Sequence, residues 1–301
     1  MAAWKQLLFV IVIFSFSIVS NAKYGFFPTK FSTSANPLTP VPSAAKQTLL
    51  YYGGPVISNV KIHVVWWSDY VNPQTQDFVP GFYSALTNSN FMDWLDQYNT
   101  FATPVTNVGG TKQHIGRGQY TGATTIKPFN HSPNIDDSEI QIELAKQIQA
   151  GQLPPPDDNT LYMIYFPRAY QITAFGMSSC VNFCAYHSSH GTPTTPHFFY
   201  GIMPDIHNTG CDMGCAYASD DIRSLSTISA HEYTEAITDP FPAPGNTVVW
   251  PQAWNTVDGS EIGDLCAGGN DALVAGKESY TVQCEFDNSH NNCTNRTWTS
   301  P

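Results

Sequence analysis

Residues 160–166 read TLYMIYF and end at Pro167. A run of this length, rich in aliphatic and aromatic side chains, predicts a strand buried on both faces at the centre of a sheet. Two further strands are predicted outward from it, a β-branched and aromatic run over residues 60–67 and a shorter one over residues 198–203. The chain therefore contains at least three candidate strands around which a core can form.

Helical patterns alternate with these strands. Residues 137–149 carry apolar side chains at helical spacing, with Asp136 or Asp137 as the N-cap and Gly151 after the last turn. Residues 78–97 predict two short helices broken near Asn88, and residues 224–238 predict a longer helix that ends before Pro240. This alternation predicts an α/β or α+β fold, a single domain in which helices pack on a mixed sheet.

Composition excludes two classes of protein. The chain has 301 residues with 13 Lys+Arg and 24 Asp+Glu, a formal net charge of −11, and only 12% of its residues are charged while 42% are hydrophobic. Disordered chains have few apolar residues and many charges, so this chain is expected to fold. No segment carries a basic run, so a nucleic-acid partner is not expected.

The first residues predict an export signal. Lys5 precedes a predominantly apolar run over residues 7–19, and Ser20-Asn21-Ala22 fits a small-x-small cleavage site. The alternative is a membrane anchor, but a spanning helix takes roughly 20 apolar residues. We therefore expect a signal peptide over residues 1–22, an extended Pro/Ser/Thr-rich leader over residues 23–48, one domain over residues 49–301, a secreted protein and no membrane association after cleavage.

Cysteine usage agrees with export. All seven cysteines lie in the C-terminal part of the chain. An oxidising compartment favours disulfides over a metal-binding cysteine cluster. An odd number leaves one thiol free or paired with another molecule, and the connectivity stays open. Residues 176–217, which hold four of them, are predicted as loop except for the strand at 198–203. The disulfide candidates are Cys180, Cys184, Cys211, Cys215, Cys266, Cys284 and Cys293, and the glycosylation candidates are Asn130, Asn292 and Asn295.

The chemistry of the chain concentrates in residues 224–238. A helix there places His231 and Glu235 one turn apart on one face, with Glu232 about 100° away at its edge. A histidine, a second ligand four residues later and an intervening glutamate are typical of a zincin-like active-site helix, although the second ligand here is a carboxylate rather than histidine. Short motifs of this kind also occur on ordinary solvated helices.

Two observations favour a metal site over a solvated face. The residues flanking the motif are apolar or small, so its charged groups need partners in the interior. Downstream, Glu261 and Asp264 supply two more carboxylates. We predict His231, Glu235 and Glu261 as ligands, Glu232 as the general base, and Asp264 as the residue that orients His231, with a swap between Glu261 and Asp264 left open. Zinc is the expected ion, and Mn²⁺ or Ca²⁺ also suit this oxygen-rich set.

Two other histidines, His187 and His190, lie near Cys184. They could line the same cleft, but the surrounding turn-forming residues favour polar loop positions for them. Serine nucleophile chemistry is not expected, because no Gly-x-Ser-x-Gly motif is present.

Three stretches together resemble the EXORDIUM or phosphate-induced protein family and its bacterial-type secreted relatives. They are residues 52–56 (YGGPV), the cysteine-containing segments around residues 180–191 and 211–217, and residues 231–240 followed by residues 261–266 (EIGDLC). The resemblance runs from about residue 51 to the C-terminus. It implies a secreted or cell-wall protein, associated in plants with growth responses and without an established enzymatic activity. The complete potential metal set of this chain is closer to the bacterial type.

Two functions follow from these patterns. The first is a zinc-dependent, peptidase-like hydrolase acting on an extracellular peptide. The second is a non-catalytic extracellular protein associated with the cell wall or matrix, with a structural cation or none. A fold or motif does not by itself establish a reaction.

Overall fold

Strands and helices alternate along the chain. The computed structural model describes the backbone of residues 25–28 and residues 48–168, 170–207, 215, 220–242 and 248–301. The helices of this part are α1 (Pro73–Thr87), α2 (Asn90–Trp94), α3 (Asp137–Gln149) and α4 (Asp221–Thr238), with 3₁₀ turns at Leu95–Tyr98 and Asp264–Cys266. The strands are β1 (Gly25–Pro28), β2 (Leu50–Tyr51), β3 (Asn59–Trp66), β4 (Gly116–Thr125), β5 (Asn134–Asp136), β6 (Thr160–Tyr165), β7 (Gln171–Ala174), β8 (Met177–Ser178), β9 (Phe183–His190), β10 (Phe198–Met203), β11 (Trp254–Asn255), β12 (Asn270–Ala275), β13 (Glu278–Gln283), β14 (Phe286–Asp287), β15 (Asn292–Cys293) and β16 (Thr297–Ser300).

A six-stranded mixed sheet forms the centre, in the order β1-β9-β10-β6-β3-β4. Strands β10, β6, β3 and β4 pair in parallel, whereas β9 runs antiparallel to both of its neighbours. Every residue of β6 is buried. The prediction of a central buried strand in this segment is confirmed, and so is the mixed α/β architecture.

Each face of the central sheet is covered by its own apolar cluster. On one face, α1, α4 and the C-terminal β12–β13–β16 sheet pack over the alternate side chains of β3, β6 and β10. On the other face, α3 and the small β5–β7–β8 sheet enclose the remaining side chains of the same strands. A strand that is covered on both faces must be apolar along its whole length, which explains the continuous run at residues 160–166.

Side-chain caps determine where the two long helices of the site region begin. Asp136 accepts the backbone N–H of Ser138 at 3.1 Å, and Glu139 accepts the backbone N–H of Asp136 at 3.0 Å, a capping box that starts α3. Asp220 accepts the backbone N–H of Arg223 at 2.9 Å and starts α4. Both helices lie where the sequence predicts them.

The prediction that residues 176–217 form loop apart from one strand is wrong for β9. This eight-residue strand lies second in the central sheet, and Phe183 to Ser189 are all buried. Its second half, His-Ser-Ser-His, lacks the apolar alternation that predicts a strand, because these polar side chains are buried for reasons other than hydrophobic packing.

The N-terminal predictions are mostly outside the described residues. Residues 1–24, which include the expected signal peptide, and most of the leader are not described, but Gly25–Pro28 pairs with β9 as an edge strand of the central sheet. In the ranges that the structure describes, no helix is long and apolar enough to span a membrane.

Two disulfides join described cysteines, Cys184–Cys215 and Cys266–Cys293. Cys180 is also disulfide-bonded, Cys211 lies outside the described residues, and Cys284 is a free, buried thiol. The disulfides are compatible with an extracellular protein.

Of the candidate glycosylation sites, Asn292 and Asn295 are exposed and Asn130 is half-buried, with its amide donating to Glu139 Oε1 at 2.9 Å. Glycosylation itself stays a prediction.

Candidate metal centre

Helix α4 directs its acidic motif against β9. His231, Glu232 and Glu235 lie on α4 with none of their surface exposed, and His187 of β9 is equally buried opposite them. His187 Nδ1 lies 3.4 Å from Glu232 Oε2 and 3.6 Å from Glu235 Oε2. The interior of the protein therefore contains an imidazole and two carboxyl groups in direct contact.

The hydrogen bond at Nε2 determines the tautomer of His187. Nε2 lies 3.2 Å from the backbone carbonyl oxygen of Asp239, which can only accept, so the ring proton is on Nε2. Burial lowers the pKa of His187 to about 3, and the ring is neutral at physiological pH. Nδ1 therefore presents a lone pair, not a proton, to the carboxyl oxygens of Glu232 and Glu235.

His231 presents the protonated nitrogen of its ring to Glu235, whereas His187 presents the unprotonated one. Gln283 Nε2 donates to the carbonyl oxygen of Gly263 at 2.8 Å and to His231 Nδ1 at 2.9 Å. A flipped amide would place two acceptors against each other at Gly263, so Nδ1 is an acceptor and the neutral ring carries its proton on Nε2. Burial lowers the pKa of His231 to about 4, which keeps this ring neutral too. His231 Nε2 lies 3.1 Å from Glu235 Oε1.

The carboxyl groups of α4 are held in an environment that opposes their ionisation. Burial raises the pKa of Glu232 well above its ordinary value, and the charges of Glu235, Glu261 and Asp264 raise it further, whereas the nearby backbone N–H of His187 acts in the opposite direction. Burial and the charge of Asp264 do the same for Glu235. Both oxygens of Glu232 and Oε2 of Glu235 lack a hydrogen-bond donor among the described residues. Such groups require either protons or a cation in the folded state.

The two carboxylates predicted downstream reach the same region. Glu261 Oε1 lies 3.5 Å from His187 Nε2, and the Asp264 backbone N–H donates to Glu235 Oε1 at 3.2 Å. The helix motif and the EIGD segment therefore meet, as the sequence suggests.

Two overlapping groups of ligand atoms have the spacing that a metal ion requires. His187, Glu232 and Glu235 form one, and His231, Glu235 and Asp264 form the other; within each group the ligand atoms lie within 4.8 Å of one another. A buried His/Glu/Glu group that could hold a metal ion is therefore present. The predicted combination of His231, Glu235 and Glu261 is neither of these two groups, but the alternative that the sequence leaves open, with Asp264 in place of Glu261, is the second group. The ligand roles themselves stay a prediction.

Close approach at Gly263 brings the EIGD segment against α4. A Cβ atom at this position would lie 2.4 Å from His231 Nδ1 and 3.0 Å from Glu235 Oε1. Those distances are too short for any side chain, so glycine is required for the segment to contact the helix.

The two histidines of β9 are separated by the sheet. His190 is three residues from His187 and faces α3, where its Nδ1 lies 3.1 Å from Gln141 Oε1. Asp137 on that side accepts hydrogen bonds from Tyr186 at 2.8 Å and Tyr200 at 2.9 Å. That buried acid is fully supplied with donors, which is what a structural polar network requires, whereas Glu232 is not.

Two residues of this region, Gln283 and Glu285, belong to no motif in the sequence. For His187 the sequence leaves a position in the cleft open but favours a loop, whereas the structure places it on β9. Glu285 is fully buried, neither of its carboxyl oxygens has a donor among the described residues, and burial together with the charge of Glu235 raises its pKa. Predicting a strand over residues 183–190 would have placed the His187 side chain in the core. Gln283 and Glu285 have no recognisable sequence pattern.

Comparisons of the chain with family models, curated proteins and solved structures found no match. The similarity to the EXORDIUM family therefore stays a prediction from the quoted stretches.

Proposed function

We propose that the protein is a secreted metal-dependent hydrolase whose zinc ion is held by His187, Glu232 and Glu235. One observation carries the proposal. The lone pair of His187 Nδ1 faces Glu232 and Glu235 oxygens at 3.4 Å and 3.6 Å, and none of these atoms has a hydrogen-bond partner among the described residues. Groups that converge in this way require either protons or a cation between them, and a cation at their centre contacts all three at once.

The surroundings of His187 support its role as a ligand. Histidines that bind metals donate their other N–H to a carbonyl or carboxylate, which orients the ring. His187 donates in this way to the carbonyl of Asp239. His231 instead accepts from Gln283 at Nδ1, so its proton is on Nε2, the nitrogen nearer Glu235. We therefore assign His231 and Gln283 to the positioning of Glu235.

The excess of acids around the ligands favours catalysis. A zinc ion there would polarise a scissile carbonyl group and activate a water molecule. Glu261 contacts His187 at Nε2, its charge also acts on Glu232, and it is not a ligand in this arrangement. We assign the general-base role to Glu261 because of its proximity to Glu232, for which the sequence predicts that role. An extracellular peptide, from a matrix or cell wall, is the substrate class that agrees with secretion.

A structural cation is the second candidate, and the burial of the ligands favours it. His187, Glu232 and Glu235 have no exposed surface. An ion at a purely structural site stabilises the fold and needs no route for a substrate.

Metal content of the purified full-length protein, measured by plasma mass spectrometry, tests the site. About one equivalent of zinc is expected in the wild type and in His231→Asn, and little in His187→Ala. His190→Ala is the matched control, because it alters the same strand on its other face and should retain the ion. Zinc that is lost from His231→Asn but kept by His187→Ala would refute this ligand assignment in favour of the one predicted from sequence.

Turnover separates the two candidates. On a panel of peptide and ester substrates, the zinc-loaded wild type should be active, and Glu261→Gln should keep its zinc and lose at least about 100-fold in kcat, the usual contribution of a general base. A stoichiometric ion that stabilises the protein without any turnover would instead establish the structural role.

A further inference from the structure

A surface pocket lies next to the proposed metal centre. It has a volume of about 110 Å³, and its lining includes Val56, Gln113, Asp158, His197, Phe199 and Phe241. A single water molecule occupies roughly 30 Å³ of liquid, so this space accommodates a group the size of a side chain.

Strand register connects the pocket to the centre. His187 pairs with Gly201 across β9 and β10, so the two residues share a face of the sheet. Phe199 lies on that same face two residues along β10, a distance of roughly 7 Å at the rise of a strand. Phe241 is likewise two residues beyond Asp239, whose carbonyl oxygen accepts from His187. Both aromatic walls are therefore neighbours of residues that contact the proposed ligand.

The inner wall of the pocket is aromatic. The rings of Phe199 and Phe241 are nearly perpendicular with centroids 4.9 Å apart, and the His197 ring lies 5.1 Å from that of Phe241. Gln113 does not offer a polar group to a ligand here, because its amide accepts from Val56 N at 3.1 Å and donates to Val56 O at 2.7 Å. This wall suits the apolar stem of a ligand.

The mouth of the pocket is acidic. Asp158, with 82% of its side chain exposed, is the carboxylate of the lining, and its Oδ1 lies 3.2 Å from His197 Nε2. His197 Nδ1 lies 2.9 Å from the carbonyl oxygen of Thr195, which can only accept, so Nδ1 is a donor. An exposed carboxylate at the edge of an aromatic wall suits a positively charged group on an apolar stem.

We propose that this pocket binds the basic side chain of a peptide substrate, arginine in preference to lysine. The inference rests on the proposed hydrolase function and names its substrate class. A guanidinium group combines several donors in one plane with a face that stacks on aromatic rings, which matches the Asp158 carboxylate at the mouth and the aromatic rings within. The net charge of −11 favours the approach of cationic peptides.

Binding to the metal-free protein tests the pocket independently of catalysis. The probes are fluorescein-labelled peptides of the form Gly-X-Gly, with X as Arg, Gln, Phe or Glu, titrated against the full-length chain in EDTA. The arginine peptide should bind most tightly. Asp158→Asn should weaken it about fivefold, the scale of an exposed ion pair, and leave the glutamine peptide unchanged.

Asp157→Asn is the matched control. Asp157 is adjacent in sequence and also exposed, but it pairs with Lys61 and does not line the pocket. This variant should bind the arginine peptide as the wild type does. Equal weakening by the two variants, or binding of the phenylalanine or glutamine peptide as tight as that of the arginine peptide, would overturn the proposal.

The same peptides separate this inference from the proposed function. Hydrolysis by the zinc-loaded protein with no preference for arginine, in kcat/KM or in binding, would refute the pocket and leave the hydrolase. Selective arginine binding that Asp158→Asn removes, in a protein that binds no zinc, would support the pocket and refute the hydrolase.

Discussion

Replacing Glu232 by glutamine should have opposite effects on the metal-free and metal-loaded protein. Both oxygens of Glu232 are buried without a donor, and Oε2 lies 3.4 Å from the lone pair of His187 Nδ1. A glutamine amide at this position is neutral and can donate to that nitrogen. In the presence of EDTA, Glu232→Gln should therefore stabilise the fold.

The magnitude follows from the penalty for an unsatisfied buried group. Relieving it is worth about 1–3 kcal/mol. For a domain of this size, a change of 1 kcal/mol moves the Tm by roughly 2–4 °C, so we expect a rise of roughly 2–12 °C in EDTA. The wild type should gain about 4 kcal/mol when free zinc exceeds its Kd about a thousandfold, and the variant should lose most of this gain. The order of the two Tm values therefore inverts between EDTA and zinc.

Differential scanning calorimetry in both conditions measures the effect, with Glu143→Gln as the control. Glu143 is also a buried glutamate, but it accepts from the backbone N–H of Phe129 at 3.0 Å and from Gln147 Nε2 at 2.7 Å. Its replacement should destabilise the protein by about 1–2 kcal/mol whether or not zinc is present. If Glu232→Gln lowers the Tm in EDTA as Glu143→Gln does, the Glu232 carboxyl has a partner in the folded protein and the reasoning fails.

Three further predictions concern pH, a disulfide and a thiol. Because the pKa of His187 is lowered to about 3, unfolding of the metal-free protein takes up a proton below pH 6.5, and because that of Glu232 is raised, unfolding releases one above pH 4.5. The Tm in EDTA should therefore fall as the pH rises above 6.5, where only the Glu232 effect remains. Zinc binds the unprotonated groups, so the rise in Tm that zinc produces should increase with pH, and a rise that is constant across pH would contradict this. Removing the Cys266–Cys293 disulfide, which spans 27 residues, by a double serine substitution should cost about 3–4 kcal/mol in urea unfolding, and a loss below 1 kcal/mol would contradict the loop-entropy argument. The Cys284 thiol is buried and its pKa is raised by that burial, so iodoacetamide should label it only in denaturant; rapid labelling of the native protein would show that it is accessible.

Local patterns were sufficient for most of the scaffold. The helix predicted over residues 137–149 coincides with α3, because a capping aspartate, an apolar stripe and a terminating glycine all lie within one short segment. The buried strand at residues 160–166 was equally predictable, since burial on both faces leaves a continuous apolar run. These features depend on neighbours in sequence.

The site was only partly predictable, because its geometry depends on residues far apart in the chain. The motif on α4 identified Glu232 and Glu235, but His187 lies 45 and 48 residues before them, and their contact with it depends on the pairing of β9 beside β10. The serines and histidines of β9 are buried polar residues, so the apolar alternation that predicts a strand is absent from this segment. The hydrogen bond between Gln283 and His231 spans 52 residues and has no local signature.

Burial of His187, Glu232 and Glu235 also has a kinetic consequence. Since none of their surface is exposed, an ion bound to them exchanges with solvent only when the protein opens locally. The Cys184–Cys215 disulfide tethers β9 three residues from His187, which restricts the opening on that side. Dissociation of the ion should consequently be slow, independent of chelator concentration and faster in mild denaturant. The residence time of the ion then measures the rate at which the core opens locally.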